Sequence, residues 1–151
     1  IDVAMIFDTW GSLLNDEQYE KFSLRYINKI KNAIANQDIP LIYYVRETGR
    51  KLEALKNLNI DVLGIDSTTE IGVIKKQIGN KFALQGNLDV NVLKKDESDI
   101  IAAIKNILTS YGSNSGHIFN LGTGITPDIN PDKVKILIDN LADISSKFHV
   151  K

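Results

Sequence analysis

The chain has 151 residues, of which 43% are hydrophobic and 25% are charged, and its formal net charge at pH 7 is -1. This is the composition of an ordinary globular domain with a buried core, and a charge near zero gives no support to binding of nucleic acid or of a membrane surface. The chain has no cysteine, which excludes disulfides, thiolate catalysis and cysteine-built metal sites. No run approaches the roughly 20 apolar residues of a membrane span. These features predict a cytoplasmic protein.

Apolar runs alternate with helical periodicities along the chain. Each of five short runs, rich in apolar, β-branched or aromatic residues, is followed by a segment with apolar residues at helical spacing. The predicted strands cover residues 3–7, 40–45, 61–66, 82–85 and 117–121. The first of them is nearly continuous in apolar residues, which predicts burial on both faces. Five βα units in strict alternation predict an α/β fold with a parallel sheet.

The first predicted helix begins with a capping box at Asn15 and Gln18 and runs to about Asn36. Six apolar residues at helical spacing predict the face that packs on the sheet. They are Tyr19, Phe22, Tyr26, Ile30, Ala33 and Ile34.

Two later helices are predicted from their end signals. Thr68 or Thr69 is expected to cap a helix that ends at Gly79. Asn130 and Pro131 are a good N-cap and first residue for the last helix.

The segment before that last helix is the most distinctive in the chain. It passes from the fifth strand through Gly122 and Gly124, which permit close backbone approaches that a Cβ would forbid. A strand, a glycine turn and a helix in this order mark the place where ligands meet the carboxyl end of a sheet in α/β proteins. A tight connection without chemistry is equally compatible with this pattern.

Two closures of the sheet are compatible with five βα units. A flavodoxin-like open sheet has this natural size, and a (β/α)8 barrel contains eight such units in about 250 residues. Every predicted strand is followed by polar residues, which in a barrel would all face one common site. They are Asp8-Thr9, Arg46-Glu47-Thr48, Asp66-Ser67, Gln85-Gly86-Asn87 and Gly122-Thr123. This pattern favours the barrel.

Four short runs together resemble one known family. They are IFDTWG at residues 6–11, DVLGID at 61–66, LQGNLD at 84–89 and GHIFNLG at 116–122. Their order and spacing are similar to those of the uroporphyrinogen decarboxylases. The resemblance implies a single (β/α)8 barrel domain, of which residues 1–151 are the carboxyl-terminal part, about the last five βα units. The chain opens on Ile1 in an apolar run, so an amino-terminal part is expected to precede it.

The resemblance implies an enzyme of haem biosynthesis. Such an enzyme removes carbon dioxide from the four acetate side chains of uroporphyrinogen III and gives coproporphyrinogen III, with no metal or organic cofactor. A homodimer is implied for the full-length protein. In the family, the arginines that hold substrate carboxylates and the aspartate that binds the pyrrole N–H groups lie in the earlier half. No catalytic residue is therefore assigned within this chain, and the chain alone is expected to be inactive.

Two residues match substrate-binding positions of the family. Thr9 corresponds to a substrate-binding Ser or Thr, and Thr123 stands where the family usually has His in Asn-Leu-Gly-His-Gly. A hydroxyl donates one hydrogen bond but cannot carry a positive charge near neutral pH, whereas imidazole can. The exchange is compatible with a dispensable His, an impaired enzyme or a diverged function. Because loops after parallel strands share one face, Thr9 and Thr123 are predicted to lie on the same rim.

Other polar and aromatic residues near the strand ends have competing roles. Asp8 and His117 are assigned structural roles. Tyr43 and Tyr44 point to opposite faces of a strand, so one of them is expected to face the barrel interior.

Two arginines after the second predicted strand could receive substrate carboxylates as bidentate donors. These are Arg46 and Arg50, and surface ion pairs with Glu47 or Glu53 are equally compatible with the sequence.

Two other functional classes are compatible with the sequence. The same superfamily includes zinc-dependent methyltransferases, whose thiolate ligands would fall near Val45 and Gly122, where this chain has no cysteine. The other class is a non-catalytic, flavodoxin-like binding module. Trp10, Gly11 and Ser12 are a poor match to its hydroxyl- and glycine-rich phosphate loop.

Overall fold

The computed structural model describes residues 1–148 of the chain. His149 is expected to be exposed from its place in the sequence, and it lies outside the described residues. The strands are β1 (Ala4–Asp8), β2 (Leu41–Val45), β3 (Val62–Gly64), β4 (Ala83–Leu88) and β5 (His117–Leu121). The helices are α1 (Asp16–Tyr19), α2 (Arg25–Ile34), α3 (Thr48–Leu55), α4 (Ile71–Ile78), α5 (Glu97–Tyr111) and α6 (Pro131–Ser145). Short 3₁₀ turns cover Gly11–Leu13, Ala35–Gln37 and Val90–Lys94.

The five strands form one parallel sheet in the order β1-β2-β3-β4-β5. Successive strands are always neighbours and the sheet grows in one direction. Right-handed crossovers therefore place all the helices on the same side of the sheet. This is the arrangement of consecutive units in a (β/α)8 barrel, as predicted. The flavodoxin-like alternative is wrong, because that fold reverses its strand order at a switch point and carries helices on both faces.

Burial differs between the two faces of β1. The prediction that β1 is buried on both faces is wrong, since the side chain of Phe7 is 68% exposed. Ile6 packs against the core, whereas Phe7 points to the concave face that carries no helices. β1 is also an edge strand with one hydrogen-bonded neighbour in the described chain, so its concave side is only partly covered.

The hydrophobic core lies between the convex face of the sheet and the helices. One cluster joins β1–β4 to helices α1 to α4 and to Tyr111 at the end of α5. A second cluster joins the end of β4 to α5 and α6. The largest fully buried side chains include Tyr19, Tyr43, Leu55, Leu63, Ile74, Leu84 and Leu93. Each such aliphatic side chain contributes about 1.5–3 kcal/mol when it leaves water.

The first helix begins at the predicted capping box, in which the Asn15 side chain accepts from the backbone N–H of Gln18 at 2.8 Å. Its predicted apolar face is only partly correct. Tyr19 is buried and Ile34 packs against the core, but Phe22, Tyr26 and Ile30 are 58%, 49% and 43% exposed. The other residues of this segment that are buried are Ser23, Leu24 and Ile27. A π-helical turn over Glu20–Leu24 lies between α1 and α2 and shifts the phase of the residues after it, which a regular 3.6-residue period cannot anticipate.

The predicted end signals of the later helices are only partly correct. Asn130 caps α6, with its side chain accepting from the Asp132 N–H at 2.9 Å, and Pro131 is the first residue of that helix. Gly79 ends α4 with a φ of 62°. The predicted Thr68 or Thr69 cap is wrong. The helix begins after Glu70 with no side-chain cap, because the Thr68 hydroxyl is bonded to the Asp66 carboxylate instead.

Candidate functional site

A cavity of about 510 Å³ opens on the concave face of the sheet at the carboxyl ends of the strands. Its lower wall is built from side chains that point away from the helices, including Met5, Phe7 and Gln85. The loops after β1, β2 and β5 form its rim. This is the edge at which parallel α/β barrels bind their ligands.

The rim brings Thr9 and Thr123 together, as predicted from the parallel strands. Both residues are half-buried and line the cavity. They also line an adjoining cavity of about 290 Å³, and Arg46 is the third residue common to the two. Two threonines and one arginine therefore line both cavities.

Tyr44 crosses the concave face and ties β2 to the turn after β5. Its hydroxyl donates to the Gly122 carbonyl at 3.0 Å. Burial raises the pKa of Tyr44, the nearby Asp66 carboxylate raises it further, and Arg46 opposes the shift. The hydroxyl is therefore neutral near physiological pH and acts as a donor. Tyr43 points to the opposite face and is fully buried, as the alternation of strand side chains predicts.

Gly122 lies where the turn after β5 touches the loop after β3. A Cβ at this position would stand 2.4 Å from the backbone nitrogen of Ser67, so only glycine fits without a shift of backbone. At Gly124, a Cβ would meet nothing within 4 Å. The glycine turn seen in the sequence therefore contains one residue fixed by packing and one that is unconstrained.

Asp66 holds the loop that carries Arg46. Its side chain is 3% exposed and accepts from the N–H groups of Glu47 and Thr48, at 3.0 and 3.3 Å. Asn87 supports the same region by donating to the Asp66 carbonyl at 3.0 Å. The sequence placed Asp66 among the polar residues after the strands that were expected to face a common site. Its support of the loop after β2 was not predicted, because its partners there are backbone N–H groups of that loop.

Asp8 has a structural position. Its carboxylate lies in the helix layer, where it accepts from the Ser23 hydroxyl and, at 2.7 Å, from the Tyr43 hydroxyl. Tyr43 in turn is 2.7 Å from the hydroxyl of Tyr19. Burial raises the pKa of both tyrosines, so each remains protonated and bonded. Asp8 lines neither cavity of the rim.

The two arginines after β2 have different surroundings. Arg50 is paired with Glu47 on the surface, at the start of α3. Arg46 lines both cavities, and its guanidinium carbon lies 5.7 Å from the centre of the Trp10 ring. Arg46 therefore lines the cavities and Arg50 does not, a difference that the sequence alone did not predict.

His117 lies away from the cavity. Its Nε2 is 2.9 Å from the Gly86 carbonyl, and its ring stacks on Tyr111 with centres 4.5 Å apart. These contacts support the structural role assigned to it from the sequence.

Within residues 1–148, no group of three or more His, Asp or Glu side chains is arranged to hold a metal ion. Over the same residues, no helix combines the length and apolarity needed to cross a membrane.

Comparison with known proteins identifies the family to which this site belongs. The family model described as uroporphyrinogen decarboxylase (URO-D) matches residues 1–143, nearly the whole chain. The chain belongs to this family. The resemblance carried by the four short runs is thereby confirmed.

Curated members of the uroporphyrinogen decarboxylase family match nearly the whole chain. The protein of that name from Tolumonas auensis is 43% identical over 98% of this chain, and the one from Legionella pneumophila is 41% identical over 99%. The one from Methylococcus capsulatus is also 41% identical over 99%. In all three cases, the chain spans 43% of the length of the relative.

A solved structure supports the fold independently. A methyltransferase from Methanosarcina mazei superposes with a TM-score of 0.80 over 95% of this chain and 42% of its own length. The two sequences are 18% identical, so this likeness concerns the fold alone. It places the five-stranded sheet of this chain in a fold shared with that protein.

Proposed function

We propose that this chain forms the carboxyl-terminal part of a cytoplasmic uroporphyrinogen decarboxylase. The enzyme removes the four acetate carboxylates of uroporphyrinogen III and yields coproporphyrinogen III in haem biosynthesis. The observation that carries the proposal is the 43% identity to a curated enzyme of that name over 98% of the chain. The position of Thr9 and Thr123 on one rim supports it, because both match substrate-binding positions of the family.

The proposed reaction requires proton transfer and charge stabilisation but no metal or organic cofactor. Protonation of a pyrrole carbon creates an electron sink, the bond between the acetate methylene and its carboxylate breaks, and carbon dioxide leaves. The electron pair returns from the ring to the methylene as that carbon takes up a proton, and the first proton leaves the ring. Each acetate thus becomes a methyl group at the net cost of one proton. The protein must donate hydrogen bonds to carboxylates and supply these protons.

Thr9 and Thr123 are proposed to bind substrate as neutral donors. Each hydroxyl supplies one proton to a hydrogen bond and accepts others, so the pair can contact carboxylates without adding charge. The cavity between them has a wall of Phe7 and Tyr44, whose apolar faces suit a flat macrocycle.

Residues 1–151 are proposed to form part of a single barrel domain. β1 lies at an edge of the sheet and, among the described residues, is hydrogen-bonded only to β2. Phe22 and Tyr26, in the helical segment that follows β1, are 58% and 49% exposed. A preceding βα unit of the barrel would pair with the free edge of β1 and is proposed to cover this apolar surface. The complete enzyme is proposed to be a homodimer.

Two alternative functions have less support. The likeness to a methyltransferase lies in the fold alone, and the family's match favours decarboxylation instead. The chain also lacks the cysteines of the zinc-dependent methyltransferases. The flavodoxin-like module is contradicted by the strand order.

The isolated 151-residue chain is expected to show no decarboxylation, whereas the complete protein converts uroporphyrinogen III to coproporphyrinogen III. Five of the eight strands leave the macrocycle with few cationic partners, so both binding and transition-state stabilisation are lost. The assay oxidises the products and measures coproporphyrin by fluorescence. Adding the amino-terminal part of the protein should restore activity. Full turnover by the isolated chain would contradict the placement of catalytic groups outside it, and a folded complete protein without turnover would contradict the proposed function.

Changing Thr123→His in the complete protein is expected to raise the decarboxylation rate or to leave it unchanged. The family usually has His at this position, and an imidazole can both donate and carry positive charge beside a polyanion. The pH profile of kcat/KM is the informative measurement, because only the His variant should gain an ionisation near pH 6–7. A large loss of activity on this change would show that the Thr123 hydroxyl has a positive role of its own.

A further inference from the structure

Arg46 has the position of a carboxylate-binding residue at the rim of the cavity. Among the side chains that line the two adjoining cavities, it is the only lysine or arginine. Like Thr9 and Thr123, it lines both cavities. A ligand with several carboxylates that fills either cavity would therefore meet this cation.

The guanidinium of Arg46 is oriented by an aromatic ring and has no acidic partner. It lies over Trp10 at 5.7 Å, an arrangement that leaves its N–H edges open while restricting its motion. Within residues 1–148, it makes no ion pair and no hydrogen bond. Its five N–H donors are available to a ligand in the fork geometry that matches a carboxylate.

The acidic residues near Arg46 are occupied elsewhere. Glu47 is paired with Arg50. Asp66 accepts from two backbone N–H groups and from the Thr68 hydroxyl. These contacts partly compensate the charges of Glu47 and Asp66. Arg46 is then the charged side chain that lines the cavities without an ion-pair or hydrogen-bond partner among residues 1–148.

We infer that Arg46 binds a carboxylate of the substrate that is not removed in the reaction, an inference that rests on the proposed decarboxylase function. A cation on the departing carboxylate would stabilise the ground state more than the transition state, in which that charge is lost, and would slow the reaction. On a carboxylate that persists, the same kind of contact is available in each of the four decarboxylations. Arg46 is then a determinant of substrate affinity.

The test compares Arg46→Gln with a matched control, Arg50→Gln, in the complete protein. Arg50 lies four residues away, is paired on the surface and lines neither cavity. Binding of uroporphyrin, with eight carboxylates, and of coproporphyrin, with four, is measured by fluorescence titration, and KM and kcat are measured with uroporphyrinogen. Loss of a bidentate charged contact should weaken binding of both porphyrins and raise KM by roughly 10- to 100-fold, with kcat within about threefold.

A third variant keeps the test decisive if Arg46→Gln does not fold. Arg46→Lys retains the charge without the planar fork, and it should recover only part of the lost affinity. The Arg50 control should match the parent protein in all measurements. Unchanged binding and KM for both Arg46 variants would overturn the inference, as would a loss confined to uroporphyrin, which would place Arg46 on a departing acetate. A parent protein that binds the porphyrins through Arg46 but does not decarboxylate would refute the proposed function and, with it, the assignment of Arg46 to a retained carboxylate.

Discussion

Gly122→Ala is expected to destabilise the protein by about 1–3 kcal/mol and to displace the rim of the cavity. The added Cβ would stand 2.4 Å from the Ser67 nitrogen, which belongs to backbone and cannot rotate away. Either the turn after β5 or the loop after β3 must move. The bond from Tyr44 to the Gly122 carbonyl is lost or lengthened by the same movement. Urea unfolding of the variant and the parent measures the free energy difference.

Gly124→Ala provides the matched control for stability. It adds the same methyl group two residues along the same turn, where nothing lies within 4 Å and the backbone is not in the left-handed region. The change should be neutral or slightly stabilising, because alanine reduces the entropy of the unfolded chain. Equal destabilisation by the two variants would contradict the close packing of Gly122 against Ser67.

Asp8→Ala is expected to cost about 2–3 kcal/mol of unfolding free energy. The change removes a charged acceptor from two hydroxyls and leaves the Tyr43–Tyr19 pair with one proton that has no acceptor. Ser23 and Tyr43 are both buried, so water cannot replace the carboxylate without entering the helix layer. Thermal melting of the variant measures the effect, and near-ultraviolet circular dichroism reports the tyrosine environment.

Asp139→Ala is the control for this second change. It also removes an aspartate, but Asp139 is an exposed residue of α6 paired with Lys135 four residues earlier. Exposed pairs of this kind contribute little to stability, so its melting temperature should stay close to that of the parent. A melting temperature of Asp8→Ala that also matches the parent would contradict a structural role for the buried network.

The parallel α/β sheet was predictable because it depends on the alternation of strands and helices, which the sequence displays directly. Alternation alone left two sheet topologies open, and the polar residues after each strand favoured the barrel. Thr9 and Thr123 were predicted on one rim for the same reason, since strands that run parallel end at one edge. The roles of these hydroxyls in binding stay predictions.

The packing of the first helix was not predictable from periodicity. The π-helical turn at Glu20–Leu24 changes the angular spacing within one turn, so the later residues of an apparently regular apolar stripe face elsewhere. Phe22 and Tyr26 thus became exposed although their spacing is that of a core face. A π-helical turn cannot be recognised from the spacing of the hydrophobic residues alone.

The role of Asp66 and the separation of Arg46 from Arg50 depend on contacts between different loops. Asp66 accepts from backbone groups after β2, and the sequence distance of 18 and 19 residues hides this relation. Arg46 precedes α3 and lines the cavities, whereas Arg50 lies within α3 and pairs with Glu47. Local residue preferences do not encode such tertiary contacts.

The most direct test of the account is a crystal structure of the complete protein with coproporphyrinogen or uroporphyrin bound. The account predicts a macrocycle at the carboxyl ends of β1, β2 and β5, in contact with Thr9 and Thr123, with one carboxylate within hydrogen-bond distance of the Arg46 guanidinium. A macrocycle bound at the amino ends of the strands, or on the helix side of the sheet, would contradict it.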